Sequence, residues 1–263
     1  MTVWEAIALG IVQGLTEFFP VSSSGHLVLA EALLGVNPPG VSFEVLVHLA
    51  TLMSVLAVYG RRVLTLLVDA ARGRRDAWSY LGMLVLATLP IGIAGISLAE
   101  PISRVFDLPI IAAGSLLVTG AVVYATRWLV QYGERDDPGW WGSLVVGLAQ
   151  AIALLPGISR SGFTVAAALR ARTRPERAAE FSFLLSVPAI LGAASLSIPE
   201  LSASVGSPAV AAMVAAVLSA FLAGMAAIVF FIRWLRGGRF HLFAYYCWIV
   251  GGIYILYSLI VAP

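Results

Sequence analysis

A run of polar side chains that could do chemistry lies where the chain is otherwise oily: Gln13, Glu17, Ser22, Ser23, Ser24, Gly25 and His26. Gln13 and Glu17 are four apart and share one helix face. A carboxylate in such surroundings costs several kcal/mol unless it is paired or hydrated. The serines follow Pro20 and open a new helical stretch. Serine favours the N-cap, and a helix N-terminus with free N–H groups suits an anion. His26 adds a group that exchanges protons near neutral pH. A second polar run, Ser159-Arg160-Ser161-Gly162, supplies the one arginine deep in an apolar region. A guanidinium binds phosphate with a two-pronged fork and stays charged. Two helix N-termini, an arginine, hydroxyls, a carboxylate and an imidazole together suit a phosphate group held at membrane depth. Glu17 with Arg160 can also be read as a structural ion pair alone.

The elements that must position these groups are membrane helices. Of the 263 residues, 60% are hydrophobic and only 11% charged, against about 25% charged in soluble domains. Mean hydropathy is +0.95. This excludes a soluble enzyme, a disordered chain and a nucleic-acid binder. The net charge of +2 gives no long-range pull on polyanions. Cys247 alone cannot make a disulfide framework or a cysteine metal cluster. The N-terminus lacks the basic region of a secretory peptide.

A bilayer core of about 30 Å needs about 20 apolar residues as helix. Six stretches qualify: 42–60, 78–99, 109–131, 178–198, 207–232 and 240–262. Regions 3–35 and 140–172 are interrupted at Phe19–Gly25 and Pro156–Gly162. Each half, about 15 residues or roughly 22 Å, is too short to cross. Both regions read as re-entrant hairpins. Fourteen of the sixteen arginines fall in 61–75, 127–135, 170–177 and 233–239, while 1–41, 100–108 and 199–206 hold only Arg104. The positive-inside rule places the arginine-rich segments in the cytoplasm and both termini outside it.

An internal repeat supports the same plan. Gly10, Gln13, Ser22, Ser24 and Gly25 recur 137 residues later as Gly147, Gln150, Ser159, Ser161 and Gly162. Glu44 matches Glu180 with the offset shortened by one. Each unit, about 1–131 and 140–262, holds one hairpin and three spans, so the second must be inverted. The expected fold is an all-α polytopic membrane protein of six transmembrane helices and two re-entrant hairpins in an inverted repeat. Such folds place their site near the midplane, where the breaks meet. Glu44 and Glu180 read as braces, His48 as packing or support, and His241 and most tryptophans as interfacial.

These motifs resemble the undecaprenyl-diphosphate phosphatases associated with bacitracin resistance, over nearly the whole chain. The resemblance rests on Gln13-x-x-x-Glu17, Pro20-Val21-Ser22-Ser23-Ser24-Gly25-His26, Phe43-Glu44-Val45, Pro156 to Gly162 with Thr164, and Glu180-Phe181-Ser182-Phe183. It implies removal of the terminal phosphate from a C55 polyprenyl diphosphate, a pocket open toward the periplasm, and support by divalent metal. Carried over, Glu17, Ser23, His26 and Arg160 form the catalytic set. Gln13, Ser22, Ser24, Gly25, Ser159, Ser161, Gly162 and Thr164 stand around it as substrate-binding residues. Mg²⁺ or Ca²⁺ is the expected cofactor, with Glu17 its ligand. One departure matters: many members have glutamate at the Gln13 position, so Glu17 here would carry alone any role needing two carboxylates.

The expectation is therefore a phosphohydrolase with Ser23 as nucleophile, or with water attacking directly, and with either His26 or Glu17 as base. The competing expectation is a polyprenyl-phosphate flippase built on the same site. Expected partners are the polyprenyl diphosphate and membrane lipids, not nucleic acid; a homodimer is compatible with the reading.

Overall fold

The computed structural model describes residues 1–34, 40–106, 108–196 and 210–261. Among them the chain is helical, without strands: α1 Val3–Phe18, α2 Ser23–Leu34, α3 Gly40–Ala71, α4 Arg75–Ser97, α5 Ala99–Phe106, α6 Pro109–Ala125, α7 Gly139–Ile152, α8 Arg160–Arg170, α9 Pro175–Leu196, α10 Val210–Arg236 and α11 Phe243–Val261. Six of these regions are long and apolar enough to cross a membrane, and they match the six expected spans. The expected 199–206 connection and the start of the 207–232 span lie outside the described residues.

Local sequence explains the ends. Thr2 and Glu5 close a capping box on α1, satisfying two orphan N–H groups. Pro109 opens α6 at a position where its missing N–H costs nothing. Helix α3 outruns its expected span, 42–60, and continues to Ala71. Arg61 and Arg62 end the hydropathy signal but not the helix, because long arginine stems lie along apolar surface while the heads reach water.

Helix α1 packs on α10 and α7 on α4. Both contacts are close because glycine faces the partner. A Cβ on Gly14 would lie 2.7 Å from the Ala223 methyl, and one on Gly147 2.6 Å from the Ala87 carbonyl oxygen. Small residues of this kind let membrane helices approach where no hydrophobic force drives them together. Helix α3 meets α9, and α6 meets α11. The first hairpin thus leans on a span of the second expected unit, and the second hairpin on a span of the first.

The arginine-rich segments gather at one end. Glu180, only 9% exposed, accepts from Arg62 Nε at 2.7 Å and Arg177 Nη1 at 2.9 Å. Arg62 also lies over the Tyr80 ring at 5.3 Å. Arg236 pairs with Glu176 at 3.2 Å and Arg174 with Asp136 at 3.0 Å. Glu180, expected to brace a hairpin, ties the spans α3 and α9 together instead. Beneath it, Phe18, Phe181, Phe183, Phe231 and Phe240 fill the larger core cluster.

Candidate active site

The two interruptions meet. Helix α1 ends at Phe18 and α2 starts at Ser23, as the motif predicts. The second break lies three residues earlier than expected, running from Ala153 to Ser159. Ala153, Leu154 and Leu155 are apolar and read as helix, but their N–H groups turn back on Gln150, Ala151 and Ile152 in tighter turns. Gly157 then takes φ +86, a left-handed conformation that glycine alone adopts without penalty. Thr119 Oγ1 donates to the Gly157 carbonyl at 2.8 Å and accepts from Ser159 N at 3.0 Å, which satisfies the broken backbone. A Cβ on Gly25 would come within 3.1 Å of Gly157 Cα, so the breaks touch at two glycines. Ser161 Oγ closes the junction by donating to the Phe19 carbonyl at 3.0 Å.

The repeated Ser-x-Ser-Gly is a cap. Ser22 Oγ accepts from Gly25 N at 3.4 Å, and Ser159 Oγ from Gly162 N at 3.1 Å. Each capping oxygen also meets the hydroxyl two residues on, Ser24 at 3.3 Å and Ser161 at 3.2 Å. The same four-residue device thus starts both second half-helices. Ser22 holds φ 68, a strained conformation for serine that turns the chain sharply into α2.

At the junction lies one carboxylate with several partners. Glu17, its side chain 4% exposed, pairs with Arg160 through Oε1. Its Oε2 accepts from Ser23 Oγ at 2.6 Å and from Gln13 Nε2 at 3.0 Å. His48 Nε2 stands 3.6 Å from the same oxygen. A cavity of about 340 Å³ opens over this group. Its polar wall is Glu17, Ser22, Ser23, Ser24, Ser159, Arg160, Glu44 and His48. Its apolar wall comes from Ile91, Phe106, Leu154, Ala189 and Ile190, with further alanines of α9. The cavity takes the first turns of α3 and the last turns of α4 and α9, so it lies toward the end opposite the arginine cluster.

Several expected site residues are elsewhere. His26 does not line the cavity. Its Nδ1 meets the Ser22 carbonyl at 2.8 Å, its Nε2 the Tyr246 hydroxyl at 2.8 Å, and its ring stacks on Tyr246 at 5.5 Å. A carbonyl only accepts, so Nδ1 carries hydrogen and, in the neutral ring, Nε2 is taken by the phenol. Gln13 is fully buried and serves Glu17 rather than the cavity. Thr164 Oγ1 bonds the Arg160 carbonyl at 2.7 Å and Ser182 Oγ at 2.6 Å, tying α8 to α9. Gly25, Ser161 and Gly162 build the junction, where Gly162 sits against Pro20. His26 was expected in the catalytic set, and Gln13, Gly25, Ser161, Gly162 and Thr164 to touch substrate; these contacts place them around the residues that line the cavity. His48, expected to pack or to support the site, lines it.

The comparisons with known proteins agree with the motifs. The model of bacitracin resistance protein BacA matches residues 6–253. The chain belongs to that family. An undecaprenyl-diphosphatase of Alkaliphilus metalliredigens is 40% identical, covering 99% of this chain and 100% of its own length. That of Salinibacter ruber is 40% identical, covering 96% of this chain and 98% of its own. That of Korarchaeum cryptofilum is 39% identical, covering 95% and 97%. Relatives thus span bacterial and archaeal names.

The divalent cation that the resemblance implies can be tested on the donors. Glu17 is the one carboxylate at the junction, and both its oxygens already receive hydrogen bonds. The guanidinium beside it would repel a cation. Among the described residues no three His, Cys, Asp or Glu side chains gather where a metal could sit. This donor set does not fit a cation held by the protein alone.

Proposed function

We propose that this chain is an integral-membrane phosphohydrolase that removes the terminal phosphate of a polyprenyl diphosphate, undecaprenyl diphosphate in a bacterium, and yields the monophosphate carrier. The observation that carries the reading is the 2.6 Å bond from Ser23 Oγ to Glu17 Oε2, with Arg160 on the other carboxylate oxygen. A hydroxyl, a proton acceptor and a phosphate-binding cation stand together at the head of a cavity whose far wall is apolar. That is the amphipathic shape of a lipid diphosphate.

In this reading Arg160 exchanges part of its bond to Glu17 for the diphosphate and stabilises charge on the phosphoryl group in flight. Ser23 Oγ attacks the terminal phosphorus and its proton passes to Glu17 Oε2. The P–O bond to the lipid phosphate breaks, and the polyprenyl monophosphate leaves with the electron pair. Water then attacks the phosphoserine. Glu17 returns its proton to Ser23, one water proton stays on the released phosphate and the other goes to solvent. His26 positions the serine turn through the Ser22 carbonyl. Of the two bases the sequence left open, Glu17 is the one in contact with Ser23. The prenyl tail follows the apolar wall between α4 and α9 toward the lipid.

The two hairpins are re-entrant in this account, and the units 1–131 and 140–262 form an inverted repeat. The matched caps and the reciprocal packing of α1 on α10 and α7 on α4 support this. The arginine-rich end faces the cytoplasm, which puts the cavity mouth and both termini outside. A flippase would need no proton acceptor on a serine, so the Ser23–Glu17 bond favours hydrolysis.

The test is phosphate release from polyprenyl diphosphate in detergent by the parent, Ser23→Ala and Arg160→Ala. Loss in both variants is expected. Near-parent turnover by Ser23→Ala would mean that water attacks directly, and an unaffected Arg160→Ala would mean that the site is misplaced.

A further inference from the structure

We propose that His48 is a diphosphate-binding residue, facing Arg160 across Glu17; this rests on the function proposed above. Helix α3 fixes the ring. Nδ1 lies 2.7 Å from the Glu44 carbonyl one turn back, and a carbonyl only accepts, so Nδ1 carries hydrogen and Nε2 is turned into the cavity. Nε2 has no hydrogen-bond partner among the described residues; the nearest charged atom, Glu17 Oε2, is 3.6 Å away, beyond hydrogen-bond reach. The side chain is 31% exposed, open to the cavity yet rooted in the helix wall.

The oxygen that His48 approaches is the one that accepts from Ser23. A phosphoryl group poised for attack by Ser23 Oγ therefore comes within range of Nε2 from one side and of Arg160 from the other. Glu44, the other ionisable cavity residue described on α3, is a carboxylate and would repel the anion. With Nδ1 donating to the Glu44 carbonyl, Nε2 donates only from the doubly protonated ring, so it is as an imidazolium that His48 supplies a second charge-assisted donor on the far side of the phosphoryl group. An amide of similar reach imitates the hydrogen bond but not the charge.

The experiment compares His48→Leu with His48→Gln in the full chain, with inorganic pyrophosphate as the binding probe. A lost hydrogen bond to a charged phosphate corresponds to about ten- to a hundredfold. His48→Leu is expected to weaken pyrophosphate binding and lower kcat/KM for polyprenyl diphosphate by that factor. His48→Gln, which keeps an N–H donor without the charge, recovers part of the loss. Pyrophosphate binding by His48→Leu within twofold of the parent overturns the proposal. Equal losses in Leu and Gln overturn it too, because the ring would then act by packing or by proton transfer. If His48→Leu does not accumulate in folded form, His48→Asn, whose amide is too short to reach, takes its place. A parent that binds pyrophosphate but releases no phosphate from the lipid refutes the proposed function and leaves the binding comparison to decide His48.

Discussion

Replacing Glu17 by glutamine separates the charge of this residue from its shape. The amide fills the same volume; its oxygen can still accept from Arg160, while its NH2 takes the place of the oxygen that accepted from Ser23. Two things are lost. Ser23 no longer faces a group that takes its proton, and removing a positioned general base typically costs about 10²- to 10⁴-fold in rate. Arg160, whose side chain is 18% exposed, loses its counter-charge. Breaking one side of a buried pair costs about 3–5 kcal/mol, and the open cavity beside Arg160 brings the expectation to the low end of that range or below. A bound diphosphate would replace the missing charge. The expected pattern is a kcat at least a hundredfold down, a lower thermal midpoint in the free protein, and recovery of that midpoint when pyrophosphate is added. The assays are phosphate release and thermal unfolding in detergent with and without pyrophosphate. A Glu17→Gln variant with parental kcat would refute the base assignment. One whose midpoint is unchanged would refute the pairing with Arg160.

Other positions give independent checks. Gln13→Glu places a carboxylate where Nε2 now donates to Glu17 at 3.0 Å; the reasoning predicts lower activity in chelator and a steeper response to added Mg²⁺ than the parent, read by a metal titration of phosphate release. Ala189→Phe fills the apolar wall of the cavity; turnover of a C55 diphosphate should fall about tenfold or more while a C15 diphosphate is affected less, which paired kcat/KM values test. Glu180→Ala leaves Arg62 and Arg177 facing each other without their shared carboxylate; the thermal midpoint should drop by several degrees, with KM near that of the parent in the folded fraction.

Much of the fold was legible because membrane helices write their length and polarity directly into sequence. The N-terminal edge of the first break was legible to the residue, since Pro20 marks it, while helix α2 starts at Ser23, inside the Phe19–Gly25 interruption. The second was blurred because Ala153, Leu154 and Leu155 have helical character yet unwind to let Gly157 meet Gly25. That is a tertiary demand no local pattern carries. The same holds for site membership. Ser22 and Ser159 look like ligands by composition, and both are caps that also line the cavity. Thr164 looks like one too, yet it ties two helices. His26 stands next to the serine run in sequence, but a helical turn carries its ring to Tyr246. His48 was passed over because its spacing from Glu44 reveals a shared face, not what that face meets. The signal available was an imidazole one turn into an apolar span.

The account stands on the meeting of two distant chain breaks around one ion pair. An experimental structure of the parent with pyrophosphate bound examines that directly. The account predicts pyrophosphate lodged between the Arg160 guanidinium and Ser23 Oγ, with His48 Nε2 in contact. Pyrophosphate bound elsewhere, or Arg160 and Ser23 held apart by continuous helices through residues 19–25 and 153–159, would contradict it.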